Sequence, residues 1–365
     1  MTTTYTAAQI FTGTQWLSDV AIVVNDHKVQ SLVPISELEG HMPVQHFPDS
    51  FIAPAFIDIQ LYGAYGTLLS VAPDPKTVSN IKEYCRLGGA ALCLPTVATN
   101  TKEVFKRSID AVRQYWEEGG EGVWGLHLEG PWINSIKRGA HLEHLIHTPE
   151  IDEVAEILDY GKGIIKMITL APEVCSLDVV KLIQAHGIIV AAGHTNATFE
   201  EATGAFDGGI GTVTHMYNAM SPLGHRAPGM VGAVMAHEQV TASIIADGHH
   251  VDFAAIKIAK EIMKERLFII TDAVTETADG PYQHQRAGDK FESAGILSGS
   301  AITMFGSFKN LVQKVGIEQG EALRMCSLYP ARVLGCDNAY GKIEPGYPAN
   351  LVIIDNDLSG ARPGF

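Results

Sequence analysis

The chain has 365 residues, 46% of them hydrophobic, and carries a formal net charge of -15 at pH 7. That length and apolar content can fill a sizeable core, in one large barrel or two smaller domains, and they exclude a disordered chain. The negative balance excludes the long basic face by which nucleic acid or an anionic membrane is held, though a local basic pocket for a small anion is compatible with it.

The opening Met1-Thr2-Thr3-Thr4-Tyr5-Thr6 lacks the basic and then apolar pattern of a signal peptide, and no apolar run approaches the roughly 20 residues that span a bilayer. The expectation is a cytoplasmic protein with neither nucleic acid nor membrane as partner. Five cysteines, Cys85, Cys93, Cys175, Cys326 and Cys336, are odd in number and form no CxxC pair, so they read as mostly buried thiols.

Residues 1 to 52 contain short strand-like runs, such as Asp19 to Val24 and Lys28 to Val33 around the turn Asn25-Asp26-His27. The C-terminal end has the same character: turn residues from Gly341 to Asn350 lead into the apolar run Leu351-Val352-Ile353-Ile354-Asp355. Residues 1–52 and 336–365 are therefore expected to build one small sheet from both termini. Between them, over 53–335, apolar strands alternate with amphipathic helices at Pro75 to Leu87, Thr101 to Glu118, Pro149 to Tyr160, Ser176 to His186, Val251 to Glu265 and Ser307 to Val315.

The strands are predicted at Phe56–Asp58, Ala90–Pro95, Val123–Leu128, Ile164–Leu170, Ile188–Ala192, Gly211–Thr214, Thr241–Ile245 and Leu267–Thr271. Eight strands alternating with helices predict a (β/α)8 TIM-type barrel and not an open doubly wound sheet. Neither GxGxxG after the first strand nor a GxxxxGK[ST] loop is present, which argues against a nucleotide fold.

In such barrels the chemistry sits at the C-terminal strand ends, where this chain puts Glu129, His194, His215 and Asp272. Glu129, His194 and His215 offer the nitrogen and oxygen donors that suit zinc or a similar divalent ion with an open position. Asp272, ending the run Leu267-Phe268-Ile269-Ile270, is a carboxylate that is costly to bury unless paired or used, and beside a metal it can move a proton. The histidine-rich stretch 140–147 matches no compact metal motif and reads mostly as surface or loop. His250, after another strand end, is a better candidate, and Arg226, in a loop of glycine and proline, offers a guanidinium to a small anion.

Taken together, Pro54-Ala55-Phe56-Ile57-Asp58-Ile59-Gln60, His127-Leu128-Glu129-Gly130-Pro131-Trp132, Gly193-His194-Thr195 and Thr214-His215-Met216-Tyr217-Asn218-Ala219-Met220 resemble the N-acetylglucosamine-6-phosphate deacetylase family of the amidohydrolase superfamily. The likeness continues through Ala246-Asp247-Gly248-His249-His250, Thr271-Asp272-Ala273, Leu297-Ser298-Gly299-Ser300 and Gly346-Tyr347-Pro348-Ala349-Asn350, in the family's order along nearly the whole chain. It implies a barrel with a small β-sandwich from both termini, and hydrolysis of the acetamide to glucosamine 6-phosphate and acetate. Glu129, His194 and His215 would hold one divalent ion, zinc first among candidates, and Asp272 would be general base and acid.

By the same resemblance His141, with Ala140 beside it, polarises the amide carbonyl. Asn218, Ala219, Arg226 and His250 hold the sugar phosphate, and Leu297, Ser298 and Gly299 close over the acetyl end. A homodimer is implied, with Arg226 and His250 given to the neighbouring site. One departure stands out: where the superfamily has HxH for a second metal, this chain has Gln60-Leu61-Tyr62, so a single ion per site is expected. Rival readings are deacetylation of N-acetylgalactosamine 6-phosphate, hydrolysis of a cyclic amide, and a sugar-phosphate-binding regulator without catalysis.

Overall fold

All eight apolar runs become neighbours in one parallel sheet, in a computed structural model that describes residues 2–38, 43–293 and 295–364. In chain order the strands are Phe56–Leu61, Ala90–Ala98, Leu126–Glu129, Ile165–Leu170, Ile189–Ala192, Thr212–Val213, Thr241–Ile244 and Leu267–Ile269, each hydrogen-bonded to the next. The ring closes between its ends: the Asp272 N–H donates to the Gln60 carbonyl at 2.9 Å and the Tyr62 N–H to the Ala273 carbonyl at 2.8 Å. This is the expected barrel, and its closure sets the ends of the first and eighth strands side by side.

The six predicted helices form, and capping side chains start several of them. Thr101 caps Lys102–Glu117 by accepting from the Val104 N–H, Ser176 caps Leu177–Ala185, and Asp252 caps Phe253–Met263. The last begins earlier than predicted, at Met304, and its final turn, Leu311–Val315, widens to π geometry. Among the described residues four further α-helices, Phe199–Asp207, Gly229–Ala236, Gln319–Cys326 and Leu328–Val333, lay outside the sequence expectation. Gly229–Ala236 has no polar face to reveal it, since six of its eight residues are buried.

The chain divides into two compact units, residues 59–84 with 93–302, and residues 1–58 with 85–92 and 303–365. The second unit contains a seven-stranded sheet drawn from both ends of the chain. Leu351–Asp355 pairs antiparallel with Val44–Pro54, which itself runs parallel to Thr2–Phe11. The helices between Met304 and Val333 group with this sheet.

Phe308, fully buried, packs at centroid distances of 5.8 Å from Phe56 and 6.5 Å from Phe51, whose ring lies 5.4 Å from Trp16. Phe308→Ala is expected to lower unfolding free energy by about 3–5 kcal/mol through lost burial and a cavity. Denaturant titration checks this, and a loss below about 1 kcal/mol would show that the cluster does not anchor the unit.

All five cysteines are free, four of them buried. Among the described residues no helix is long and apolar enough to cross a membrane.

Candidate active site

Glu129 is the last residue of the third barrel strand, His194 and His215 follow the fifth and sixth, and Asp272 follows the eighth. His194, His215 and Asp272 all have left-handed backbones, with φ of 47°, 33° and 55°. Such conformations are costly for residues other than glycine and persist where neighbours hold them. Here the Asn134 N–H donates to the His194 carbonyl at 2.9 Å, the His215 N–H donates to Ser243 Oγ at 2.8 Å, and the Ser300 N–H donates to the Asp272 carbonyl at 2.9 Å. Gly193 before His194 is needed for space, because a Cβ there would collide with the methyl groups of Thr214 and Thr169.

These turns bring the side chains to one point. His215 Nε2 lies 3.1 Å from His194 Nε2 and 3.1 Å from Glu129 Oε1, and His194 Nε2 lies 3.4 Å from the same oxygen. Donors about 2.0–2.1 Å from a tetrahedral zinc stand roughly 3.3–3.4 Å apart, so the triangle is within a few tenths of an ångström of the size one such ion requires. His194 Nδ1 donates to the Lys137 carbonyl at 2.9 Å, which leaves its Nε2 lone pair for the centre of the triangle. The residues fit a divalent ion.

His141 completes a second, overlapping triad. Its Nε2 lies 3.2 Å from Glu129 Oε2, and ligand atoms of Glu129, His141 and His194 lie within 4.8 Å of one another. Two donor sets therefore share the Glu129–His194 edge, and His141 sits over the cluster on the cavity side, with its Nδ1 2.7 Å from Thr99 Oγ1.

The electrostatics follow from burial. Burial pushes the His194 imidazole down to about 4, so it is neutral and able to ligate. Burial alone would raise Glu129, but the three imidazoles of His194, His141 and His215 gathered around it outweigh burial and hold the carboxyl well below its ordinary value. Asp272 is raised instead, by burial and by the charge of Glu129, against the pull of His215. Two buried carboxylates thus sit in environments that push them in opposite directions, an arrangement that separates an ionised ligand from a proton carrier.

A cavity of about 340 Å³ opens above the cluster. His141, His194, His215, Asp272 and His250 line it, as do Ala140, Asn218, Ala219, Leu297, Ser298 and Gly299. The last three arrive on the strand Ile296–Ser300, where Ala273 and Ser300 are bridged in parallel. Arg226 does not join them; it is exposed and absent from the cavity wall. His144 and His147 are exposed, as the spacing of the histidine-rich stretch implied.

His250 is held by Asp247, whose Oδ2 accepts from its Nδ1 at 2.6 Å while Oδ1 accepts the N–H groups of His249 and His250. His284 and Tyr282 also line the cavity, and sequence reasoning missed both. Burial holds His284 near 4 and its Nδ1 lies 3.2 Å from Ser298 Oγ. The two lie after the eighth barrel strand, just before the first strand of the three-stranded sheet Gln285–Ala287, Lys290–Ser293 and Ile296–Ser300, and no local motif marks them.

The sequence matches the amidohydrolase family over residues 51–364 and the NagA composite domain over residues 4–46. It is 33% identical over 358 residues to the N-acetylglucosamine-6-phosphate deacetylase of Haemophilus influenzae, covering 94% of this chain and 93% of that protein. It is 31% identical over 370 residues to the N-acetylgalactosamine-6-phosphate deacetylase of Escherichia coli O157:H7, covering 98% and 96%. The crystal structure of N-acetylglucosamine-6-phosphate deacetylase from Pasteurella multocida superposes with a TM-score of 0.94 at 33% identity, over 98% of this chain and 96% of that one.

Proposed function

Because the chain belongs to the amidohydrolase family, we propose that it hydrolyses the acetamide of N-acetyl-D-glucosamine 6-phosphate, releasing D-glucosamine 6-phosphate and acetate. The observation that carries this reading is the meeting of Glu129, His194, His215 and Asp272 at four strand ends beneath one cavity, in a chain whose relatives are named for this reaction.

Glu129, His194 and His215 hold one divalent ion, zinc being the best match to two imidazoles and a carboxylate. When bound, such an ion supplies Lewis acidity and makes water a nucleophile near neutral pH. Asp272 takes the proton of the attacking water as its oxygen adds to the acetyl carbon. His141 faces the carbonyl oxygen, where negative charge develops, and stabilises it. Asp272 then delivers the proton to the nitrogen as the C–N bond breaks, so that the amine leaves neutral. Ala140 stands beside His141; Asn218, Ala219 and His250 seat the sugar phosphate, and Leu297, Ser298 and Gly299 cover the acetyl end.

A cytoplasmic homodimer is the assembly we favour, with Arg226 reaching the phosphate in the neighbouring site; its exposure outside its own cavity supports that role. His250 already lines the cavity of its own chain and acts there. The Escherichia coli relative named for the galactosamine epimer makes N-acetylgalactosamine 6-phosphate the second reading.

Acetate release by zinc-loaded protein from the two epimeric phosphates and from unphosphorylated N-acetylglucosamine tests all of this. The expected result is turnover of N-acetylglucosamine 6-phosphate well above the other two. Preference for the galactosamine epimer would install the second reading, and failure on all three with zinc bound would remove the deacetylase assignment.

A further inference from the structure

Gln60 and Tyr62 stand between the two buried carboxylates of the site. The Gln60 side-chain N–H donates to Glu129 Oε1 at 2.8 Å, to Tyr62 Oη at 2.8 Å and to Asp272 Oδ1 at 3.1 Å. The Tyr62 hydroxyl reaches Glu129 Oε2 at 2.6 Å and Asp272 Oδ1 at 3.1 Å. Three hydrogens are thus shared among five contacts. Thr214 Oγ1 donates to Gln60 Oε1, which fixes the amide with its nitrogen toward the carboxylates. Asp272 Oδ2, by contrast, has no hydrogen-bond partner among the described residues.

We propose that Gln60 and Tyr62 are positioning residues: a brace that holds both oxygens of Glu129 and ties down Oδ1 of Asp272, leaving Oδ2 alone to carry the proton. The inference rests on Asp272 being the proton carrier of the reaction proposed above. Its physical content is orientational. A carboxylate free to rotate offers either oxygen in many poses, whereas one tied at Oδ1 presents the other in a single direction, and misplacement of a proton-transferring group by about 1 Å costs large factors in rate. Gln60 and Glu129 are each 1% exposed and Asp272 8%, so water does not replace lost contacts cheaply. The phenol ring itself packs beside Leu68, Val274 and Tyr282, apart from what its hydroxyl does.

Tyr62→Phe separates the two, because it keeps the ring and deletes the hydroxyl. Gln60→Asn, which withdraws the amide by one methylene, is the second variant. For each, kcat and KM for N-acetylglucosamine 6-phosphate are measured at saturating zinc, and the zinc dissociation constant is measured by chelator competition without substrate. The expected result for Tyr62→Phe is a kcat lowered roughly 10- to 100-fold with KM changed less than about threefold, and zinc bound roughly 10-fold more weakly. Gln60→Asn should show the same split.

A wild-type kcat at saturating zinc overturns the proposal, because Tyr62 would then serve Glu129 alone. A raised KM with unchanged kcat overturns it too, because Tyr62 would only shape the seat of the sugar. If the wild-type protein itself turns over no sugar, the deacetylase reading fails separately. Zinc affinity then still decides the Glu129 half of the brace, which stands if Tyr62→Phe weakens binding and falls if it does not.

Discussion

Asn in place of Asp272 is expected to lower kcat by roughly 10²- to 10⁴-fold, toward the upper end because the same carboxyl serves twice, first as base and then as acid. The amide is nearly isosteric and can still occupy the buried position at the end of the eighth strand, where the backbone is held by Gln60 and Ser300. It cannot exchange a proton. Glu129, His194 and His215 do not depend on Asp272 for their mutual geometry, so zinc content should stay near that of the wild-type protein. Metal analysis alongside steady-state kinetics checks both halves. A slow variant that has also lost its zinc would make Asp272 a ligand and not the proton carrier.

Removal of the ion should have an effect of similar size. Treatment with a chelator is expected to reduce kcat/KM by roughly 10³-fold or more, since Lewis-acid stabilisation of developing charge is worth several kcal/mol at about 1.4 kcal/mol per tenfold. Added zinc should restore it. His215→Ala should show the same loss without restoration, because two corners of the triangle remain and the third Nε2 is gone. That substitution also withdraws a hydrogen bond that helps keep the fully buried Glu129 ionised, so thermal unfolding should fall with it. Recovery of His215→Ala by zinc would transfer the third ligand position to His141, whose Nε2 is already 3.2 Å from Glu129.

How far these residues could be found without the structure differs from one to the next. The eight barrel strands were legible because each is a short apolar run between turn signals, and Pro75–Leu87 and Leu351–Asp355 form over the predicted residues. Glu129, His194, His215 and Asp272 were legible for a related reason. A polar group terminating an apolar strand is costly unless used, and a parallel barrel gathers such ends at one face. That much a linear pattern determines, since it reports what each segment buries along its own length.

Pairing partners lie outside what such a pattern records. Nothing local in Thr2–Phe11 announces its parallel neighbour Val44–Pro54, and nothing local in Tyr282 or His284 announces entry into a cavity whose other walls come from distant strands. Gln60-Leu61-Tyr62 stood out only as a departure; ring closure between the first and eighth strands makes it a bridge from Glu129 to Asp272. Arg226 and His250 looked alike as strand-end or loop candidates for the phosphate, and the tertiary structure separates them, one exposed and the other clamped by Asp247 at the cavity wall. The left-handed turns at His194, His215 and Asp272 are likewise held by hydrogen bonds with Asn134, Ser243 and Ser300, residues 28 to 60 positions away. The sequence by itself determined which side chains were available for chemistry; the tertiary hydrogen bonds decided their aim, because direction depends on partners that only barrel closure brings within reach.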